Sequence, residues 1–128
     1  MLDLGQLKDV MLETNSVAIC HPETGVATDI KIVLASPDSE VYRKVSKAIR
    51  TRSMQFAMKN RGAASADRIE QDALDLLVGV TVSWENMIEN GVDIPCTKEN
   101  VRRVYDTYLF IREQVDDFIG NRRNFFKD

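Results

Sequence analysis

The stretch LLVGVTVSWENMIENGVDIPCTKENVRRVY, Leu76 to Tyr105, decides the fold. It holds the one tryptophan, Trp84, late in the longest apolar stripe of the chain. Ile69, Ala73, Leu76, Leu77, Val80, Trp84, Met87 and Ile88 recur at intervals that share one face of a helix. Leu76, Leu77, Val80, Trp84 and Ile88 are therefore the expected core. Gly91 is the expected helix stop, because glycine past a last turn adopts the left-handed conformation cheaply. A linker with Pro95 follows. Thr97 is then placed to accept hydrogen bonds from the free amides of a new helix.

Upstream, Leu2, Leu4, Leu7, Val10 and Met11 suit a short amphipathic helix that Gly5 weakens. Residues 16–35 change period: the run Val17 to Cys20 and the alternating run around Ile30, Ile32 and Leu34 flank a turn, HPETG, which predicts a β-hairpin. Such a hairpin is marginal alone and must lie against helices or pair with another chain. Ser36-Pro37-Asp38-Ser39-Glu40 reads as a helix start with Ser36 as cap and Pro37 in the first turn. Val41, Val45, Ala48, Ile49 and Phe56 form the apolar side of that helix, which frays near Asn60-Arg61-Gly62. Ser65 or Asp67 caps the long helix. Beyond Thr97, Val101, Val104, Tyr105 and Tyr108 give one apolar face and Ile111, Val115, Phe118 and Ile119 another. One helix, or two broken near Thr107, both fit.

The expected fold is mainly α, a small helical domain with an N-terminal β-hairpin (α+β by strict count). The 128 residues suit one domain. It divides into a 1–35 segment with the hairpin, a 36–120 helical core and a 121–128 tail. A net charge of −3 argues against nucleic acid as the default partner. No apolar run approaches the ~18 residues of a membrane span. The N-terminus lacks a signal-peptide pattern, and Cys20 and Cys96 are far apart without metal-site spacing, as in a reduced cytosolic protein.

Charge divides by helix. Arg43, Lys44, Lys47, Arg50, Arg52, Lys59 and Arg61 are uninterrupted by acid, whereas Asp67, Glu70, Asp72, Asp75, Glu85, Glu89 and Asp93 are accompanied only by Arg68. Two helices on a short link fold back antiparallel, which sets these charges side by side.

No residue combination points to catalysis, a metal or a cofactor. His21 has no partner at a recognisable spacing and reads as a solvated turn residue. Cys20 and Cys96 lack a base, so each reads as structural. Asp72–Asp75 and Glu85–Glu89 share helix faces but lack the histidines and partner acids of a metal site. Arg43, Lys47 and Arg50 share a side and are the candidate partner-binding residues, with a DNA-binding regulator as the alternative reading. Phe125 and Phe126 are a second candidate contact: an apolar pair in a charged tail either docks on its own chain or meets another.

Three stretches resemble the tail assembly chaperones of long-tailed bacteriophages. HPETGVATDIKIVLASPDSEVYRK is similar to that family's hairpin and helix start. VSWENMIENGVDIPCTKENVRRVY resembles its tryptophan, glycine and capped T-x-E-N helix, and IREQVDDFIGNRRNFF its closing helix and terminal Asn-Phe. The order and spacing also fit over residues 17–126. Family members often carry Pro-Trp where this chain has Tyr108-Leu109-Phe110. The resemblance implies a non-enzymatic assembly factor acting in the host cytoplasm and absent from the mature virion. Its partner would be the tape-measure protein, kept soluble while tail-tube subunits assemble. A longer product of a ribosomal frameshift would recruit the tube protein, and this chain would be the short product. Asn124-Phe125-Phe126, whose codons can form an unbroken run of U, is the implied place of the slip. A structural tail protein retained in the particle is the other rival reading.

Overall fold

The computed structural model describes residues 1–59 and 66–127. Helix α1 (Leu4–Val10) starts at Asp3, whose carboxylate accepts from the Gly5 amide, and buries none of its residues. Strands β1 (Thr14–Cys20) and β2 (Ala27–Ala35) form the expected antiparallel hairpin. Their alternation sends Ile19, Ile32 and Leu34 inward to full burial. The joining turn closes through the Gly25 amide on the His21 carbonyl at 2.9 Å, with Gly25 at φ 73°. His21 Nδ1 accepts from the Glu23 amide at 3.1 Å, so His21 is a turn residue.

The long stripe is two structures rather than one. Helix α3 (Ala66–Val80) passes directly into strand β3 (Thr81–Glu85), the third strand of the sheet, with Trp84 opposite Ile32. The reason is local and tertiary together. The run Val80-Thr81-Val82 is β-branched and stiff in a helix. The edge of β2 offers it backbone partners. The Thr81 hydroxyl donates to the Leu77 carbonyl at 2.7 Å. Lys98 Nζ donates to the carbonyls of Val78 at 3.0 Å and Thr81 at 3.2 Å, satisfying groups the helix leaves open. Val82 has no partner between the Leu34–Thr81 and Val33–Ser83 pairs. This bulge keeps both Thr81 and Trp84 inward.

Gly91 does not end a helix. It stands with Asn90 at the tip of a two-residue hairpin between β4 (Ile88–Glu89) and β5 (Val92–Asp93). Their φ angles are 53° for Asn90 and 78° for Gly91, the left-handed pair that an Asn-Gly type I′ turn requires. Ile88, expected in the core, is 57% exposed on this hairpin. Leu77 and Val80 are buried as expected, while Leu76 and Trp84 are half-buried against the core. The indole of Trp84 donates to the Ile94 carbonyl at 2.8 Å. The 36–120 segment is therefore helical with a strand and a small hairpin inserted.

Helix α2 (Glu40–Lys59) begins one turn later than its sequence signal. Ser36 to Ser39 closes a turn, the Ser39 amide on the Ser36 carbonyl at 2.9 Å, and the Ser39 hydroxyl then accepts from the Tyr42 amide. Ser39, not Ser36, is the cap. The expected fray at Asn60–Gly62 and a cap at Ser65 lie outside the described residues.

Helix α4 (Lys98–Thr107) starts at Thr97 as expected, with its hydroxyl accepting from the Asn100 amide. Tyr108, at φ −109° and ψ 82°, breaks the chain before α5 (Leu109–Gly120), so two helices form. The core lies between the three-stranded sheet and helices α3, α4 and α5, centred on Tyr105, Val101, Val104 and Val115.

Helix α2 lies outside this core and has no buried residue. Val45 meets Gly79, Ser53 meets Asp72 and Phe56 meets Arg68, so numbers rise on α2 as they fall on α3. The two helices are antiparallel. A Cβ on Gly79 would stand 2.5 Å from Val45 Cγ1 and 3.4 Å from its Cβ, too close for rotation of the valine alone to relieve. Gly79→Ala should therefore lower stability by about 1–3 kcal/mol through overpacking, against a helix-propensity gain of about 1 kcal/mol. Val45→Ala in the same chain should restore part of the loss. Denaturant unfolding of both variants measures this net loss of about 0–2 kcal/mol, and a Gly79→Ala chain stabilised by the full propensity gain would mean that α2 does not press on α3 there.

Candidate functional site

Among the described residues, the base of α2 that pairs with the acids of α3 is Arg52. Arg52 donates to Asp72 at 2.9 Å and to Asp75 at 2.5 Å, and the Ser53 hydroxyl also donates to Asp72. Arg102 of α4 reaches Asp75, and Arg68 lies 3.4 Å from Asp72. The hydrogen bond from Ser53, with those of the arginines, holds the Asp72 carboxyl below the ordinary range against the cost of burial. Burial pushes Asp75 upward, but the bonds from Arg102 and Arg52 outweigh it and leave Asp75 low as well. Both acids are thus ionised and committed. Their role is to register three helices, because exposed pairs of this kind contribute little on their own.

Four other bases of α2, Arg43, Lys44, Lys47 and Arg50, do not join this seam. Lys44 bonds only the neighbouring Glu40, at 3.3 Å. Arg43, Lys47 and Arg50 are exposed and make no ion pair among the described residues. At helical spacing they share their stripe with Met54 and Met58, which are 67% and 81% exposed. The shared side expected for Arg43, Lys47 and Arg50 is present, and the methionines extend it.

Beside this stripe, an open hollow of about 480 Å³ runs between α2 and α3. Ile49, Ala73 and Leu76 form its apolar floor, with Arg50 and Met54 on one wall and Ser53 and Asp72 at the seam. Ala73 and Leu77 continue it into a second hollow walled by Leu109, Arg112, Glu113 and Asp116 of α5. Ile69, one turn beyond Ala73, is 63% exposed. The exposed α3 residues Ile69 and Ala73, with half-buried Leu76, therefore form an apolar ridge with a hollow on each side. All three lie on the expected apolar stripe, and Leu76 alone of them belongs to the expected core. Their true position follows from where α3 turns its other stripe, Leu74, Leu77 and Val78, which is the buried one.

Phe125, in the tail, is not free to meet a partner. Phe125 is buried, packs edge-to-face on Phe118 at 5.4 Å, and its carbonyl accepts from the Leu12 amide at 2.7 Å. Phe126 is half-buried and bridges Met11. Of the two alternatives for this pair, docking on its own chain is the one found, because a buried ring beside β1 removes apolar area from water; Phe125 is thereby withdrawn as a candidate partner contact. Asn124 supports it by donating to the Phe118 carbonyl at 3.0 Å and accepting from Asn15 at 2.7 Å.

Cys20 and Cys96 also have structural settings. The Gln114 side chain clasps the Cys20 backbone, accepting from its amide at 2.7 Å and donating to its carbonyl at 2.9 Å. Burial raises the Cys96 thiol above its ordinary value in spite of nearby Lys98, which disfavours the thiolate. Among the described residues no group of histidines, cysteines and acids is arranged to hold a metal ion, and no helix is long and apolar enough to cross a membrane. Comparison with protein-family models, with curated proteins and with solved structures finds no match.

Asp72 and Asp75 sit below their ordinary value when folded, so their contribution is complete above the unfolded value near 3.8 and is lost as pH falls through the folded values. The denaturation midpoint should hold from pH 7 to about 5 and decline below about 4. Asp75→Asn should be less stable at pH 7 and show a shallower acid decline. An equal decline in both chains would remove the network from the account. For the tail, Phe125→Ala should cost about 3–5 kcal/mol as a buried aromatic deletion, and Phe126→Ala clearly less. Thermal unfolding separates them, and equal small effects would put Phe125 outside the core.

Proposed function

We propose that this chain is a tail assembly chaperone of a long-tailed bacteriophage. In this reading it binds the long, helical tape-measure protein in the host cytoplasm and keeps it soluble while tail-tube subunits assemble. It is absent from the finished virion, and a longer frameshifted form recruits the tube protein. The role is binding, without catalysis. The resemblance of three stretches to that family supplies the partner's identity.

The observation that carries the reading is the apolar ridge of α3 with its flanking hollows. Helix-in-groove recognition needs such an apolar surface, with anchor positions that a client helix can lie against. A long client is held by many copies of a modest contact, and a shallow trough meets that need where a deep pocket does not.

The exposed row Arg43, Lys47 and Arg50 is the one observation that favours nucleic acid instead. Against it, the chain is net negative, and Glu113 and Asp116 of α5 wall the hollow on the far side of the α3 ridge.

Co-expression tests the proposal. The tape-measure protein encoded beside this chain's gene should be insoluble alone, soluble with this chain, and co-purify with it. A tape-measure protein that stays insoluble with an abundant, folded chaperone candidate would refute the reading.

A further inference from the structure

We infer that the α2–α3 hollow receives an amphipathic helix that carries acid on one flank, and that Arg43, Lys47 and Arg50 set this preference. The inference rests on the chaperone reading for the helical nature of the client and deepens it by naming the contact and its chemistry.

Three features lead to it. The floor is apolar and shallow: Ile49, Ala73 and Leu76, extended by Ile69, with Met54 on the wall. Methionine adapts to irregular apolar partners, so Met54 suits a client with changing sequence. The floor belongs to helices of 15 and 20 residues, so the shorter sets the supported length of a client helix, about 15 residues or ~22 Å.

The second feature is charge. The acids at the seam already have partners: Asp72 takes Arg52, Arg68 and Ser53, and Asp75 takes Arg52 and Arg102. The outer bases of α2 do not: Arg50, on the wall of the hollow, and Arg43 and Lys47, on the exposed stripe beside it, make no ion pair among the described residues. The positive charge of this side is therefore available to an incoming group, whereas the negative charge of the seam is spent.

The third feature is the opposite wall. Glu113 and Asp116 of α5 border the neighbouring hollow, accompanied by Arg112. A helix acidic on all sides, or a nucleic acid, would be opposed there. A helix with its apolar stripe on the α3 ridge and acid toward α2 meets complementary charge on that side. Rim charges of this kind govern association rate and choice of partner more than total affinity.

The test uses the full chain and synthetic peptides of about 20 residues with a leucine stripe. One peptide carries glutamates along one flank, and a second carries lysines there. Fluorescence anisotropy at two salt concentrations should show binding of the glutamate peptide, weaker at the higher salt, and much weaker binding of the lysine peptide. Lys47→Glu with Arg50→Glu, two exposed residues outside the core, should weaken the glutamate peptide by about tenfold and strengthen the lysine peptide. Ala73→Glu, which puts an acid on the exposed ridge, should abolish binding of the glutamate peptide. Circular dichroism establishes that each variant is folded, and an unfolded variant is replaced by Met54→Glu, which alters the wall instead.

Equal binding of the two peptides, or full binding by the Ala73→Glu chain, overturns the inference. Tighter binding of a 20-base-pair DNA duplex than of either peptide overturns it in favour of the nucleic-acid reading. A dimer that Ala73→Glu dissociates would assign the ridge to a second copy and also overturns it. Soluble co-purification of the tape-measure protein with the Ala73→Glu and Lys47→Glu/Arg50→Glu chains would refute this contact while leaving the chaperone reading standing.

Discussion

The hydroxyl of Thr81 is the point on which the rest of the fold depends. It donates to the Leu77 carbonyl at 2.7 Å and, with its proton so committed, accepts from the Tyr105 hydroxyl at 2.7 Å. All three residues are buried. The first bond satisfies a carbonyl at the end of α3, the second ties α4 to the same place, and the next residues of the chain enter the sheet. A buried polar atom left without a partner costs about 1–3 kcal/mol, so each bond protects the other from that loss. Burial also raises the Tyr105 hydroxyl well above its ordinary value, which keeps it a neutral donor.

Around this point the helices divide into two kinds. The α3, α4 and α5 helices bury apolar faces against the sheet, and their positions follow from the hydrophobic effect. Helix α2 buries no residue and is attached by half-buried Val45 against Gly79 and by the Arg52–Asp72–Asp75 seam. Apolar contact alone would leave its register loose. Directional pairs across the seam select one, and Asp75 links that choice to α4 through Arg102. The consequence is a helix whose outer stripe remains uncovered, with bases at one end and methionines at the other. That arrangement gives the proposed client surface its combination of charge and apolar area.

Sequence patterns succeed here where contacts are local and mislead where a distant partner decides. Trp84 follows Val80 by four positions, a spacing that suits one face of a helix and one face of a strand equally. Both Val80 and Trp84 do point inward, but on different elements. The Asn90-Gly91 pair was a legible hairpin signal, since both residues tolerate positive φ, and it is overridden only if Gly91 is read alone as a helix stop. At Ser36 the cap signal was right in kind and one turn early, because Ser39 offers the same chemistry and Pro37 fits a turn as readily as a first helical residue. The side shared by Arg43, Lys47 and Arg50 was legible from spacing. The ridge beside it was not, because Ile69, Ala73 and Leu76 are apolar and nothing local says which apolar stripe of α3 is covered.

The sequence by itself determined the features that a few neighbouring residues decide. The hairpin of β1 and β2, the Thr97 cap, the turn at His21–Gly25 and the separation of charge between α2 and α3 all rest on interactions within one or two turns of chain. The tertiary structure decided the features that need a distant partner. Thr81–Glu85 is a strand because the free edge of β2 supplies its backbone hydrogen bonds, and Phe125 is core because Phe118 and the Leu12 amide receive it. Local periodicity cannot choose between two elements that bury the same residues. The choice is made by where the unsatisfied amides and carbonyls of the rest of the chain happen to lie.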